Sequence, residues 1–146
     1  MGDDLASANV NRTYSLAAMS LAIFTFLLFF LYPRFRSGEI NPWMFQATLI
    51  VMGVSTFSFV FASFHYYCAS LCSRFDDVER ALYAHRADRL WVTGYTLLFL
   101  VPTLILVTVG LFVVAGVWFA LWLAYVSFEI RYYPKIETML RNARQS

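Results

Sequence analysis

The residues with the clearest capacity for chemistry are a histidine, two cysteines and an aspartate. His65, Cys68, Cys72 and Asp76 would lie along one stripe of a continuing α-helix. Imidazole, thiolate and carboxylate groups are all ligands for zinc and other transition metals. A straight helix presents only two of them to one ion, so a metal site would need ligands from another helix or copy. Because free cysteines and an interfacial histidine are common without a metal, we expect neither a metal nor another cofactor.

The elements that must position these side chains are membrane helices. Positions 90–128 form 39 residues without an Asp, Glu, Lys, Arg or His, and a run of about 18 such residues already indicates a membrane span. One helix of that length would extend roughly 58 Å, nearly twice a hydrocarbon core of about 30 Å. The run therefore has to fold back, and we place the reversal at Gly110. Two legs result, 90–109 and 111–128.

Two further uncharged runs, 13–32 and 42–64, raise the number of predicted spans to four. Composition agrees, because only 14% of residues are charged, against about 25% in soluble domains. The predicted fold class is all-α: a polytopic membrane protein with an antiparallel bundle of four transmembrane helices and short cytoplasmic helical extensions. Residues 1–146 form a single domain, with segments 1–12, 74–89 and 131–146 outside the bilayer.

The basic residues predict the orientation. If the spans alternate, only Arg34 and Arg36 lie on one side of the membrane. The other side carries Arg12, Arg74, Arg80, Arg86, Arg89, Arg131, Lys135, Arg141 and Arg144. The positive-inside rule then places both termini in the cytoplasm.

Local signals predict where helices begin. Asn9 or Asn11 would cap the first span, and Asn41 followed by a proline is a typical helix start. Asp76 and Glu79 have the spacing of a capping box, from which a helix should continue directly into span three.

Prolines predict where helices end or bend. Pro33 should stop the first helix, and Pro134 should break or kink the last one. Pro102 lies in the middle of span three and should kink it. The second helix has no such stop and can continue through Ser73.

Small residues recur at helical spacing on three spans. Such stripes let helix backbones approach closely in lipid, either within one chain or between copies. Two predicted helix-packing stripes are Ser15, Ala18 and Ala22 on span one, and Gly116, Ala120 and Ala124 on span four. A third, with Thr48, Ser55 and Ala62 on span two, would line a pore if several copies surrounded an axis.

No charged residue lies inside the four apolar cores, which disfavours ion-coupled transport. The leading hypothesis is a non-enzymatic, oligomerising subunit or partner-binding scaffold with a cytoplasmic platform. The platform residues are Asp76, Asp77, Glu79, Arg80, Arg86, Arg89, Lys135, Arg141 and Arg144. Besides the bilayer, the expected partners are further copies of the chain, a cytoplasmic protein or anionic lipid, and no nucleic acid.

Two alternatives stay open. The first is a homo-oligomeric ion channel or pore lined by the stripe on span two. The second is a membrane-embedded enzyme that acts on a lipid-soluble substrate through His65, Cys68, Cys72 and Glu129. The small size of the polar segments leaves no separate soluble domain for an active site, so any chemistry would take place at the bilayer.

Overall fold

The computed structural model describes the backbone of residues 2–71 and 75–143, and the side chains of 8–71, 75, 76 and 78–131. Over this part of the chain it contains helices and turns and no strand. The helices are α1 (Gly2–Arg36), α2 (Pro42–Ser70), α3 (Asp77–Thr108) and α4 (Phe112–Ala143). Each contains a stretch long and apolar enough to cross a membrane. The predicted all-α, four-helix membrane bundle is confirmed.

Helix α2 occupies the centre of the bundle, because it packs against both α1 and α3, whereas α4 packs mainly against α3. In the most apolar stretch of α2, 39% of the residues are buried, against 6% in α4. At one end of the bundle, Arg12 of α1, Tyr66 of α2 and Trp91 of α3 line the same pocket. Arg12 also lies over the ring of Trp91. We name this the termini end. The opposite end, with the turns that follow α1 and α3, is the turn end.

The main apolar core lies toward the turn end. It contains Leu27, Leu31, Ile40, Phe45, Met52 and Val101, which come from α1, α2, α3 and the loop before α2. A smaller cluster at the termini end joins Ala62 and Tyr66 of α2 to Ala87 of α3. Both clusters lie along α2, which is why this helix is the most buried of the four.

Glycine sets the geometry of both turns at the turn end. Gly110 has φ +83° and Gly38 has φ +77°, a left-handed conformation that glycine adopts without a Cβ penalty. The Gly110 amide donates to the carbonyl of Val107 (3.1 Å), and the Leu111 amide donates to that of Leu106 (2.8 Å). These two bonds define a Schellman motif, and Gly38 forms the same pattern. The predicted reversal at Gly110 is confirmed.

Two predicted helix starts are also confirmed. The side chain of Asn41 accepts hydrogen bonds from the amides of Trp43 (3.0 Å) and Met44 (3.3 Å), with a proline at the first helical position. The Asp76 amide donates to Glu79 Oε2 at 3.3 Å, which is one half of the predicted capping box. From there α3 runs without interruption to Thr108.

Three predicted boundaries are wrong. Helix α1 begins at Gly2, so Asn9 and Asn11 lie inside it, and it continues through Pro33 to Arg36. Pro33 lies in the final turn, where its ring removes one backbone bond but cannot end a helix whose exit is fixed by the following glycine. A break at Pro134 is wrong as well, because α4 continues to Ala143, whereas the alternative of a kink there stays a prediction. Loss of one bond does not end a helix of 32 residues.

Helix α2 ends at Ser70, and Leu71 caps it through a bond from its amide to the Cys68 carbonyl (3.2 Å). The helix therefore ends before the predicted limit at Ser73. Ser73 itself lies outside the described residues. Pro102 lies inside α3 as expected.

Helix α2 approaches α3 closely at Gly94. The Ser55 hydroxyl donates to the Gly94 carbonyl at 2.7 Å, in a buried position. A Cβ at Gly94 would lie 3.1 Å from the Phe59 ring and 3.2 Å from the Ser55 carbonyl oxygen. Both distances are shorter than ordinary van der Waals contact, so an alanine at this position would require the Phe59 ring or the α2 backbone to shift by a few tenths of an ångström.

We expect Gly94→Ala to lower the free energy of unfolding by about 1–3 kcal/mol, because it overpacks a buried contact. Unfolding of the purified protein in detergent, followed by circular dichroism, measures the change. Gly53→Ala in α2 is the matched control, since a Cβ there meets nothing within 4 Å. An equal effect of both substitutions would contradict the close approach at Gly94.

Candidate functional site

The structure separates the members of the predicted metal stripe. His65 and Cys68 lie on α2, whereas Asp76 lies beyond the helix end at Ser70. His65 Nδ1 is 2.8 Å from the carbonyl of Phe61 in its own helix. No group of three His, Cys, Asp or Glu side chains within the described ranges is arranged to hold a metal ion. Cys72 lies outside the described residues. The prediction of one continuous stripe is wrong because α2 stops before its last two members.

The predicted platform is only partly described. Glu79, Arg86 and Arg89 are exposed on the first turns of α3, as is Asp76 just before it. Arg80 differs, because its Nε donates to the Ala69 carbonyl at 3.0 Å and so ties the start of α3 to the end of α2. The side chains of Asp77, Lys135 and Arg141, and all of Arg144, lie outside the described part of the chain.

The two predicted helix-packing stripes face away from the bundle. Every member is exposed, namely Ser15, Ala18, Ala22, Gly116, Ala120 and Ala124. The buried face of α1 instead carries Thr13, Ala17, Ser20, Leu27 and Leu31. On α4 the buried small residue is Ala115, next to Gly116. Neither predicted stripe packs within the monomer.

The stripe on span two has the opposite placement. Thr48, Ser55 and Ala62 are fully buried between α2 and its neighbours. Thr48 Oγ1 lies 3.4 Å from Thr108 Oγ1, and Ser55 bonds the Gly94 carbonyl. A pore lined by this stripe would require these side chains to face an axis between copies. In this bundle they hold α2 against α3 instead, so their burial argues against such a pore.

A polar pocket lies at the termini end, between α1, α2 and α3. Its volume is about 200 Å³. Six of the side chains that line it are Asn9, Arg12, Thr13, Tyr66, Asp88 and Trp91. The Tyr66 hydroxyl donates to Asp88 Oδ1 at 2.5 Å, which joins α2 to α3. The Arg12 guanidinium lies 5.1 Å from the centre of the Trp91 ring, a cation–π contact that joins α1 to α3.

An apolar cleft lies farther along the same helices. It has a volume of about 350 Å³. Its walls come from α1, α3 and α4, and include Leu16, Met19, Ile23, Leu98, Pro102 and Trp118. All of the residues that line the cleft lie within the stretches that are long and apolar enough to cross a membrane.

The charge pattern of the sequence predicted that Arg12 and segment 74–89, which includes Asp88, lie on the same side of the membrane. It did not predict that Arg12 and Asp88 line one pocket with Tyr66 and Trp91. The depth of a residue in the bilayer can be derived from its distance to the end of an apolar run. Its lateral neighbours depend on which faces of the helices pack, and no local signal in this chain reports that.

We expect Tyr66→Phe to lower the free energy of unfolding by about 1–3 kcal/mol, since it removes a hydrogen bond to a charged group. Tyr67→Phe is the matched control, because Tyr67 is the next residue on α2 and is exposed. Chemical denaturation in detergent, monitored by circular dichroism, compares the two. Equal stability of both variants would show that the Tyr66 hydroxyl does not hold α2 to α3.

No protein-family model, curated protein or solved structure matches this chain. The function therefore has to be argued from the bundle itself. Its relevant features are an almost unburied fourth helix, a charged termini end, and the polar pocket with its neighbouring apolar cleft.

Proposed function

We propose that this protein is a small multi-pass membrane subunit that assembles with further copies through the outer face of α4. In the assembly it presents a charged platform, residues 74–89 and 131–144, to a partner at the termini end. The observation that carries the proposal is the outward-facing stripe of small residues on α4, the helix with the fewest buried residues in its span.

Helix α4 is attached to the bundle on one side only. The Trp122 Nε1–H donates to the Thr96 carbonyl of α3 at 2.9 Å. The Tyr125 ring lies 5.3 Å from the Phe99 ring and 6.4 Å from the Tyr95 ring, both on α3. These contacts fix the rotation of α4 about its own axis and so decide which face remains available.

The available face is the one with the small residues. At about 100° per residue, Gly116, Ala120 and Ala124 lie roughly 120° to 200° around the helix from Trp122. A Cβ at Gly116 would meet nothing within 4 Å. In lipid, apolar residues gain little from helix association, whereas small residues permit close backbone packing. A second copy of the chain fits this face because both helices would then contribute the same shallow groove.

The polar segments support the second part of the proposal. Acidic and basic side chains are both exposed at the start of α3, including Glu79, Arg86 and Arg89. Helix α4 continues to Ala143, beyond its candidate span Phe112–Arg131, so the basic segment after that span belongs to the same helix. Exposed charges of both signs favour a protein partner over a partner that binds through net charge alone.

We expect the double substitution Gly116→Leu, Ala120→Leu to abolish assembly while the monomer stays folded, because both positions are exposed. Analytical ultracentrifugation in mild detergent measures the particle mass, and circular dichroism checks the fold. Val114→Leu is the control, since it adds a methylene to an exposed α4 position away from the stripe. A wild-type protein that sediments as a monomer, or an unchanged mass in the double variant, would refute assembly through this face.

We also expect both termini to face the cytoplasm, because the basic residues concentrate at the termini end. Single cysteines at Ser37 and Ala143, in a Cys68→Ser, Cys72→Ser background, test this. An impermeant thiol reagent added to intact cells should label the cysteine at position 37 and not the one at position 143. The reverse pattern would invert the orientation without affecting the fold.

A further inference from the structure

The polar pocket and the apolar cleft follow one another along α1 and α3, and we call the two together the track. These helices run in the same direction, since each starts at the termini end and finishes at the turn end. On α1 the lining passes from Asn9, Arg12 and Thr13 in the pocket to Leu16 and the residues beyond it in the cleft. On α3 it passes in the same order from Asp88 and Trp91 to Tyr95 and Leu98. The track therefore changes from polar to apolar along the direction of the membrane normal.

The polar part contains two opposite charges that are held apart. Arg12 contacts the Trp91 ring, and Asp88 accepts a hydrogen bond from Tyr66. No ion pair within the described part of the chain joins Arg12 to Asp88. A guanidinium has five N–H donors and a carboxylate about four acceptor positions, so the contacts with Trp91 and Tyr66 leave capacity on both groups. A ligand with separated negative and positive charges would pair with both.

The dimensions of the track fit a lipid. From Trp91 to Ile105, the α3 residues that line it span about 21 Å at about 1.5 Å per residue. One leaflet of a bilayer is about 15 Å deep, half of a hydrocarbon core of about 30 Å. The cleft accounts for about 15 Å of this length, from Tyr95 to Ile105, which is enough to hold an acyl chain over the depth of its leaflet. The pocket, at about 200 Å³, lies at the level where the headgroup of that lipid would be.

We propose that this track binds a glycerophospholipid with a primary-amine headgroup, such as phosphatidylethanolamine. Arg12 and Asn9 donate hydrogen bonds to the phosphate, and Asp88 accepts from the ammonium group. One acyl chain lies in the cleft between Met19, Leu98 and Trp118.

Charge decides between headgroups. A lipid with a net negative charge would pair with Arg12 but place its phosphate near the unneutralised carboxylate of Asp88. A quaternary ammonium carries the positive charge but no N–H donor, so it cannot form a hydrogen bond with Asp88. A primary ammonium has three such donors, and hydrogen bonds between charged partners are about twice as strong as neutral ones. The pocket therefore favours the amine over both alternatives.

This site is separate from the proposed assembly surface. Trp118 faces the cleft, whereas the stripe from Gly116 to Ala124 lies on the far side of α4. Lipid binding and assembly can therefore be tested, and can fail, independently.

The experiment uses the full chain in vesicles of equimolar phosphatidylethanolamine, phosphatidylcholine and phosphatidylglycerol. The protein is extracted in mild detergent, and the retained phospholipids are quantified by mass spectrometry. We expect phosphatidylethanolamine to be enriched about tenfold to a hundredfold over each of the others, the ratio that one hydrogen bond to a charged group can supply. Equal retention of all three lipids, or preference for either of the other two, would overturn the proposal.

Variants separate charge from structure. Arg12→Gln should reduce the retention of every phospholipid, and Arg36→Gln, an exposed arginine at the turn end, is its control. Asp88→Asn should abolish the preference for phosphatidylethanolamine over phosphatidylcholine. Glu39→Gln is its control, because Glu39 is an exposed carboxylate at the turn end, and this variant should retain the preference. Loss of the preference in Glu39→Gln to the same extent as in Asp88→Asn, or identical retention by Arg12→Gln and Arg36→Gln, would refute the assignment.

Discussion

The bundle depends on the close approach of α2 and α3 at Gly94. In a bilayer, backbone groups are already satisfied within each helix, and apolar side chains gain little by leaving lipid for protein. Association then rests on backbone proximity and on the few hydrogen bonds that join helices. Gly94 provides the proximity, and the bond from Ser55 to its carbonyl provides the polar contact at the same place. The Thr48–Thr108 contact and the Tyr66–Asp88 bond extend this seam toward the two ends.

The position of α2 at the centre decides what the other helices leave available. Helix α1 covers one side of α2 with Thr13, Ala17 and Ser20, which are small and buried. Over its described residues, helix α4 packs less extensively and mainly against α3, where the Trp122 hydrogen bond and a few aromatic contacts orient it. A bundle with three well-packed helices and one peripheral helix favours a function that uses the peripheral face, which is the basis for proposing assembly through α4.

Charged residues are confined to the ends of the bundle, and those at the termini end lie in two distinct environments. Glu79, Arg86 and Arg89 are exposed on the first turns of α3, where a soluble partner can reach them. Asp88 is half-buried and is oriented by Tyr66, and Arg12 is held against Trp91. An ionised group at the membrane boundary gains from a partner that replaces its lost hydration. That difference in environment distinguishes the exposed charges that we propose as a partner platform from the pocket that we propose binds a headgroup, within a few residues of the same helix.

The sequence alone determined the features that depend on local chemistry. The length of the uncharged run 90–128 required a reversal, and Gly110 was the residue able to adopt the left-handed turn there. Asn41, Asp76 and Glu79 predicted helix starts because capping bonds join residues two or three apart. Pro33 and Pro134 do not end their helices, because a proline removes one backbone hydrogen bond and the remainder of a long helix tolerates the loss.

Only the tertiary structure decided which faces pack. In a soluble helix the apolar stripe identifies the buried side, but a membrane helix is apolar on all sides, so small-residue periodicity was the one available signal. It predicted Ser15, Ala18 and Ala22 as a packing stripe on α1, and the structure leaves them exposed. It predicted Thr48 and Ser55 as pore-lining residues, and the structure buries them against α3. The polar pocket could not be predicted for the same reason. Its residues Arg12, Tyr66, Asp88 and Trp91 are up to 79 positions apart and become neighbours only through the packing of α1, α2 and α3.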